Sequence, residues 1–312
     1  MLLSGSTRVL QPERVIFKIS NALISLRSWI PSDFARKPRS LKFVKRFKAT
    51  EWRLLLLYIG VIVLSCLPKH LYEHFLVLHV AIKILCCTDL LEKHLDYAKD
   101  LLLYFVKSFS KLYGSQHVTH NIHNMIHLAD ECARHGTLDS FSAFKFENFY
   151  QFLKKLLRKG EKPLQQLSRR YEEKKLKYVK SKIDSSGCLL SGRHTDGPLP
   201  ASCMNPQYSS YQCNGKFSLG LQQAENCCFL QDGSIVVVDN FATDRKSKGT
   251  AVIGRKFLSQ KSLFSFPCDS SLLDTFHVSN LSESMCWSLE DIKSKCVRLP
   301  YNEGFAVFPL LH

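Results

Sequence analysis

Three histidines and an acidic residue recur at helical spacing near the middle of the chain. On a helix, His120, His123, His127 and Asp130 would lie along one face. Imidazole and carboxylate groups bind transition metals, so His123, His127 and Asp130 are candidate metal ligands. The His-Glu-x-x-His pattern of metalloproteases is absent, because Asn124 stands where the general-base glutamate would be. The sequence therefore excludes metalloprotease chemistry and favours histidines with structural or hydrogen-bonding roles, with metal binding as the alternative.

Glu147 is a second candidate for chemistry, because Phe146 and Phe149 flank it. A carboxylate among aromatic rings is a candidate metal ligand. The alternative is an acid in the first turn of a helix, where the helix dipole stabilises negative charge. No glycine-rich phosphate loop, Gly-x-Ser-x-Gly motif or Cys/His nucleophile pair occurs in the sequence.

Two basic segments have the composition of a polyanion-binding surface. The first is RKPRSLKFVKRFK (36–48), and the second, 154–182, holds 12 Lys and Arg against three Glu. Lys and Arg neutralise phosphates, and aromatic rings such as Phe152, Tyr171 and Tyr178 can stack on unpaired bases. The candidate DNA-binding residues are Arg36, Lys37, Arg39, Lys42, Lys45, Arg46, Lys48, Lys154, Lys155, Arg158, Lys159, Arg169 and Arg170. The alternatives are a solvated helix for the second segment and a nuclear-localisation patch for the first.

Charge is distributed unevenly along the 312 residues, which carry a net charge of +16. Residues 1–183 hold 32 Lys and Arg and 15 Asp and Glu, whereas residues 184–312 hold 11 and 12. This asymmetry predicts two units, of which the first faces a polyanion or an acidic surface. The alternative is a solvated basic face that only keeps the protein in solution.

The cysteine and hydropathy patterns predict a nuclear or cytoplasmic chain that is neither secreted nor inserted in a membrane. The 12 Cys include no Cys-x-x-Cys pair, and most lie in apolar runs, as is typical of free thiols in a reducing compartment. The longest apolar run, 54–67, has 14 residues. Spanning a bilayer takes roughly 17–25 residues, so a buried helix is expected there. Arg8, Glu13 and Arg14 interrupt any signal-peptide core.

The order of elements predicts an α+β fold with a helical first half and a β-rich second half. Apolar spacing and cap residues predict helices after Thr50 and over 71–87, 91–112, 118–134, 146–158 and 163–183. Ser, Gly, Pro and Asn dominate residues 184–215, which predicts a flexible linker. Two apolar runs around Asp232-Gly233 predict a hairpin, and further strands are expected at 251–253, 263–266, 273–278, 296–299 and 305–308.

These elements divide the chain into four predicted parts. They are an N-terminal extension (1–19), a basic α-helical domain (20–183), a flexible linker (184–215) and a β-rich C-terminal domain (216–312). The short strands of the last part predict a small β-barrel or sandwich.

Several strings of the sequence, taken together, resemble animal transposase-derived proteins of the CACTA (En/Spm-like) group. The strings are IPSDFARKPRSL (30–41), FKATEWRLLLLYIGVIVL (47–64), FLVLHVAIKIL (75–85), HNIHNMIHLADE (120–131), GTLDSFSAFKFEN (136–148), KPLQQLSRR (162–170), NCCFLQDGSIVVVDN (226–240), VIGRKF (252–257) and FPLLH (308–312). The likeness covers nearly the whole chain from about residue 20.

The resemblance implies a DDE recombinase, with the helical domain as the C-terminal remnant of a ribonuclease-H-like core. Such enzymes hold two Mg²⁺ or Mn²⁺ ions between acidic residues, and the ions activate the nucleophile for phosphoryl transfer. Glu147 matches the last of these acids and His127 the histidine that precedes it, whereas His120 departs from the expected aromatic residue. The two upstream aspartates of the family have no counterpart here, because the aspartates of the helical half lie in loop or helix contexts.

We therefore expect a catalytically incomplete transposase fragment that requires no cofactor by itself and binds DNA non-specifically through its basic segments. One alternative is a protein-interaction module, in which the β domain or uncovered helix faces engage a partner. Another is a subunit that donates Glu147 to a DDE transposase site whose aspartates come from a separate chain.

Overall fold

The computed structural model describes residues 9–182, 189–213 and 217–311, without the side chains of residues 148 and 175–182. It shows the predicted α+β order, with helices in the first half and an antiparallel sheet in the second. The first eight residues of the predicted extension, and residues 184–188 and 214–215 of the predicted linker, lie outside the described residues.

Helices lie at or near each position predicted for the first half, and two further helices, Glu13–Ser25 and Leu138–Phe141, were not predicted. The helices of this half are α1 (Glu13–Ser25), α2 (Ala49–Leu54), α3 (Gly60–Val63), α4 (Lys69–Cys86), α5 (Thr88–Tyr113), α6 (His120–His123), α7 (Leu128–His135), α8 (Leu138–Phe141), α9 (Phe144–Leu156) and α10 (Pro163–Lys182). Gly114 and Gly136 follow α5 and α7 with φ of 99° and 83°, a backbone region that only glycine adopts without strain.

The single helix predicted over 118–134 is wrong in its continuity. A 3₁₀ turn, Asn124–His127, separates α6 from α7. Asn and His have low helix propensity, and the Asn124 side chain is bonded to the His120 ring at 2.8 Å. The Asn and His residues at 120–124 therefore weaken the helix that the apolar spacing predicted, and it is interrupted where they end.

The apolar run at 54–67 is buried in the helical half, as expected. A π-helical turn, Leu55–Ile59, joins α2 to α3, and it brings Gly60 close to α4. A Cβ at Gly60 would lie 2.5 Å from the Phe75 ring, so only glycine fits at this crossing. Within the described residues, no helix combines the length and hydropathy that crossing a bilayer requires.

The β half consists of antiparallel strands. They are β1 (Leu189–His194), β2 (Cys203–Cys213), β3 (Phe217–Gly220), β4 (Cys227–Leu230), β5 (Ile235–Asp244), β6 (Thr250–Ser262), β7 (Phe276–Leu281), β8 (Met285–Ser288), β9 (Ile292–Tyr301) and β10 (Gly304–Pro309). The hairpin around Asp232-Gly233 is confirmed as β4–β5, with Gly233 at φ 83°. The pairings run from β5 through β4, β9, β10, β7 and β6 back to β5, so they form a closed ring.

The flexible linker predicted at 184–215 is wrong where the structure describes it, because β1 and β2 form a hairpin there. These strands contain many polar residues, so the sequence lacks the apolar alternation that would predict them. Gln207 of β2 is only 1% exposed, and its side chain accepts from the backbone of Gly197 and from Asn240. The strand predicted at 263–266 is also wrong, because β6 ends at Ser262 and Phe264 instead packs against the helices.

The helical and β halves share one hydrophobic core rather than packing separately. Apolar residues of α1 to α4 form a cluster with Val297, Leu299, Ala306 and Phe308 of β9 and β10. Val9, from the predicted N-terminal extension, is 2% exposed in the same cluster. The described end of that extension is therefore part of the core, because its apolar residues are needed to cover the sheet.

A buried lysine of β9 fixes the N-terminal segment against the sheet. The Lys295 side chain is fully buried, and its ammonium donates to Asp33 at 2.6 Å and to Glu225. Glu225 also accepts from the backbone N–H of Ser32 at 2.6 Å. One cation is thus shared between carboxylates from both halves of the chain.

A second buried lysine, Lys83 of α4, lies at the same junction. Its ammonium donates to the Thr275 hydroxyl and lies 5.7 Å from the centre of the Phe308 ring. Burial lowers the pKa of Lys83 to about 7, and the carboxylate of Asp274 offsets part of this effect. Folding therefore favours the neutral amine over the ammonium.

Stability should rise with pH above neutrality because of Lys83. Its pKa is about 7 in the folded chain and about 10.4 in an unfolded one, so the unfolded state binds more protons between these values. In this window, the free energy of unfolding of the wild type should increase with pH relative to that of Lys83→Met, by up to about 1.4 kcal/mol per pH unit. Urea denaturation at several pH values measures the difference. The exposed Lys107→Met is the control, and an equal pH trend in both variants would refute the role of burial.

Removing the Lys295 ammonium should destabilise the junction strongly. Lys295→Met leaves the carboxylates of Asp33 and Glu225 without their shared cation, which costs about 3–5 kcal/mol of unfolding free energy. Lys293→Met is the matched control on the same strand, because Lys293 is exposed and pairs with Asp274 at 3.5 Å. We expect its cost to stay below about 1 kcal/mol in the same denaturation experiment. Similar costs for the two variants would show that the Lys295 network does not stabilise the fold.

Candidate nucleic-acid interface

The helices α9 and α10 form a hairpin that carries most of the second basic segment. The rings of Phe149 and Phe152 in α9 contact the ring of Tyr171 in α10, and Leu156 of α9 is 3% exposed. The ring centroids of these aromatic residues lie 5.9–6.4 Å apart. Phe152 and Tyr171 were predicted to stack on bases; in the structure their rings contact each other across the hairpin, with Phe152 half-buried and Tyr171 37% exposed. The third predicted ring, Tyr178, falls among the side chains outside the described set.

The turn between α9 and α10 holds its basic residues in place through Gln166. The Gln166 amide oxygen accepts from the backbone N–H groups of Arg158 and Lys159 at 3.2 and 3.3 Å. Its amide nitrogen donates to the carbonyl oxygens of Lys159 and Glu161. The side chains of Arg158 and Lys159 remain exposed at the tip of the hairpin.

One exposed face of α9 combines aromatic rings with positive charge. Phe146 and Tyr150 are 59% and 70% exposed, and Lys154 and Arg158 follow at intervals of four residues. Residues four apart share one face of a helix, although Arg158 lies two residues beyond the end of α9. Phe146 and Tyr150 were not among the rings predicted to stack on bases, although their positions eight and four residues before Lys154 are a signal for one helix face.

The first basic segment forms a short 3₁₀ helix, Leu41–Arg46, that begins at the Ser40 hydroxyl. The side chains of Lys42, Lys45, Arg46 and Lys48 are exposed. Residues three apart eclipse each other on a 3₁₀ helix, so Lys42 and Lys45 lie side by side. Among the residues that the structure describes, no ion pair involves any of these four cations.

Two predicted DNA-binding residues of the first segment have structural roles instead. Arg39 donates to both carboxylate oxygens of Glu51, at 2.7 and 2.8 Å. Burial raises the pKa of the Glu51 carboxyl, but the bonds from Arg39 and the Lys48 backbone together lower it below its ordinary value. The Lys37 ammonium donates to the carbonyl oxygens of Ile30 and Pro31, and burial lowers its pKa. Of the three cations predicted to bind DNA in the loop before the 3₁₀ helix, Arg36 is the exposed one in the structure.

Arg169 and Arg170 of α10 are also engaged within the hairpin. Arg169 forms an exposed ion pair with Glu173 at 3.3 Å, and Arg170 donates to the carbonyl oxygen of Leu156. By contrast, Lys154, Lys155, Arg158 and Lys159 form no ion pair within the described part of the chain. Among the described side chains, exposed positive charge without an ion pair thus lies at the end of α9 and in the turn that follows.

A cavity of about 380 Å³ lies beside the first basic segment. Arg36 of that segment and Phe144, the first residue of α9, both line it. Arg53 of α2 donates to both carboxylate oxygens of Asp139, at 2.9 and 2.8 Å. This pair ties α8, immediately before the hairpin, to α2, which begins directly after the first segment.

The candidate metal and catalytic residues do not form a ligand set in the structure. The rings of His123 and His127 are exposed, with centroids 5.9 Å apart, and Asp130 pairs with Lys99 at 2.6 Å. The hydrogen bond from Lys99 lowers the pKa of Asp130. Glu147 lies exposed in the first turn of α9. Over residues 9–182, 189–213 and 217–311, no group of three His, Cys, Asp or Glu could hold a metal ion.

Comparison with known proteins bears on the β half. Residues 193–310 match the profile of a domain of unknown function, DUF8592. This match begins within β1 and ends just after β10, so it covers the sheet and leaves out the α9–α10 hairpin. No significant match to the chain exists among curated proteins or solved structures.

Proposed function

We propose that this chain binds DNA non-specifically through a surface made of the α9–α10 hairpin and the Leu41–Lys48 segment. The observation that carries the proposal is the exposure, without ion pairs in the described residues, of Lys and Arg side chains on both elements. These residues are Lys42, Lys45, Arg46, Lys48, Lys154, Lys155, Arg158 and Lys159. A phosphate backbone can be neutralised by such cations without breaking existing ion pairs, and the release of counterions drives binding.

The resemblance to CACTA transposases supports a transposase origin for this DNA-binding surface. In this proposal, the helical half derives from the C-terminal part of a ribonuclease-H-like core. The closed ring of pairings from β4 to β10 supports a small β-barrel for the second half. The described residues do not fit a site for two Mg²⁺ or Mn²⁺ ions, because Glu147 is not grouped with other carboxylates. We therefore propose binding, and no step of strand cleavage, for this chain.

Neutralising the end of α9 should weaken DNA binding and its dependence on salt. We expect the quadruple substitution of Lys154, Lys155, Arg158 and Lys159 by Gln to make the negative slope of log K against log [salt] shallower. For duplex DNA, the magnitude of the slope should fall by up to about 3.6. Fluorescence anisotropy with a labelled duplex, titrated at several salt concentrations, measures this slope.

The matched control removes four exposed lysines of the β half, Lys246, Lys248, Lys261 and Lys293, also by substitution with Gln. It changes the net charge equally, so a similar loss of slope would show that overall charge, and not this surface, governs binding. If DNA binding by the wild type does not depend on salt, neutralisation of phosphates does not drive it. That result would favour the alternative of a protein-interaction module.

The aromatic face of α9 should favour DNA with unpaired bases. Stacking contributes about 1–3 kcal/mol per base, so Phe146→Leu with Tyr150→Leu should weaken single-stranded binding by about tenfold or more. Duplex binding should change little, because paired bases are not available to these rings. The control is Phe17→Leu with Tyr104→Leu, two rings that are 62% and 55% exposed elsewhere. Equal losses for single-stranded and duplex DNA would contradict stacking.

A further inference from the structure

Two thiols of the β half lie in contact across the sheet. The Sγ atoms of Cys203, in β2, and Cys286, in β8, are 3.8 Å apart. The Ser202 hydroxyl oxygen lies 3.8 Å from the first sulfur and 3.7 Å from the second. All three groups line one cavity of about 750 Å³.

The strand order shows that this contact depends on the curvature of the sheet. The strands β2 and β8 do not pair with each other among the described residues, because β5 and β6 lie between them in the sheet. Neighbouring strands are about 4.8 Å apart, so a flat sheet would hold β2 and β8 roughly 14 Å apart. The sheet therefore curls strongly here, over a small cluster of Cys203, Ala242, Ala251 and Ile253. The thiol pair lies where this curvature brings β2 and β8 together.

The two thiols differ in their access to solvent. Cys286 is exposed at the cavity, whereas Cys203 is 1% exposed. Burial raises the pKa of the Cys203 thiol. A small oxidant in the cavity would therefore meet Cys286 first, with Cys203 behind it at contact distance.

We propose that Cys203 and Cys286 form a dithiol site that low-molecular-weight disulfides, such as oxidised glutathione, convert to an intramolecular disulfide. The Cys286 thiolate attacks one sulfur of oxidised glutathione, which forms a mixed disulfide and releases one glutathione thiolate. The Cys203 thiolate then attacks Sγ of Cys286 and releases the second. Two protein thiols lose two electrons and two protons, and one oxidised glutathione becomes two reduced molecules.

The bond requires only a local movement. The sulfur separation has to fall from 3.8 Å to about 2.0 Å, and the exposed Cys286 side chain can rotate to supply the change. The crosslink joins residues 83 positions apart in the sequence. It would fasten β2 to β8 and hold the curl closed on one side of the cavity.

The test equilibrates the full reduced chain in glutathione buffers with a rising share of the oxidised form. Free thiols are then alkylated in denaturant, so that the buried Cys203 also reacts when it is reduced, and peptides are mapped by mass spectrometry without reduction. We expect a Cys203–Cys286 crosslinked peptide, with loss of both sites from alkylation. Cys286→Ser should abolish the crosslink, and Cys203→Ser should accumulate a glutathione adduct on Cys286. Cys213→Ser, which alters a thiol lining the same cavity, is the control and should form the crosslink normally.

Three results would overturn the proposal. One is complete alkylation of Cys203 and Cys286 for the folded wild type equilibrated at every glutathione ratio. Another is a stable glutathione adduct on Cys286 of the wild type without the crosslink. The third is a crosslink from Cys286 to Cys213 in place of Cys203. Circular dichroism of each sample before the denaturant is added establishes that the chain is folded, so unfolding of one variant does not obscure the outcome in the wild type.

Discussion

Burial of two cations on β9 is the constraint on which the arrangement of this chain depends. Lys295 joins carboxylates from both halves, and Arg298 lies against the rings of Trp29 and Phe305, 5.6 and 4.9 Å from their centres. A buried cation must keep its partners, because an unpaired charge in the interior is costly. The segment that ends at Asp33 is therefore held on the sheet, and the first basic segment begins directly after it. The buried cations of β9 thus help to determine where the exposed charges of the first basic segment lie.

Lys and Arg side chains of the basic half have two roles: some hold the fold together, and others are exposed for the proposed DNA binding. The sequence does not distinguish these roles, whereas the structure does. Arg39 and Lys37 hold the loop before the 3₁₀ helix through Glu51 and backbone carbonyl oxygens. Lys154 and Lys155 project from the end of α9, where the helix dipole favours positive charge. Charge that is already paired adds little to binding a polyanion, because its partner must first be released. The proposed surface is consequently smaller than the basic composition suggests.

Local signals predicted much of the fold, and long-range contacts explain the failures. Gly114 and the Asp232-Gly233 turn marked element ends because caps and turns depend on neighbouring residues. Thr50 was predicted to cap a helix, but it lies inside α2, whose N-cap is Lys48. The β1–β2 hairpin was missed because Gln207 is buried through bonds to Gly197 and Asn240, so no apolar alternation marks it. The partners of Lys295 lie 70 and 262 residues away, beyond any local pattern. For the candidate interface, composition located the basic segments but could not separate paired from exposed cations.

Lysine footprinting tests the proposed interface most directly. The folded chain is acetylated at low salt with and without a single-stranded oligonucleotide, and the modified lysines are quantified by mass spectrometry. The account predicts protection of Lys154, Lys155 and Lys159, together with Lys42 and Lys45, while Lys246 and Lys261 in the β half stay reactive. Equal reactivity at all sites with the oligonucleotide bound, or protection confined to the β half, would contradict it.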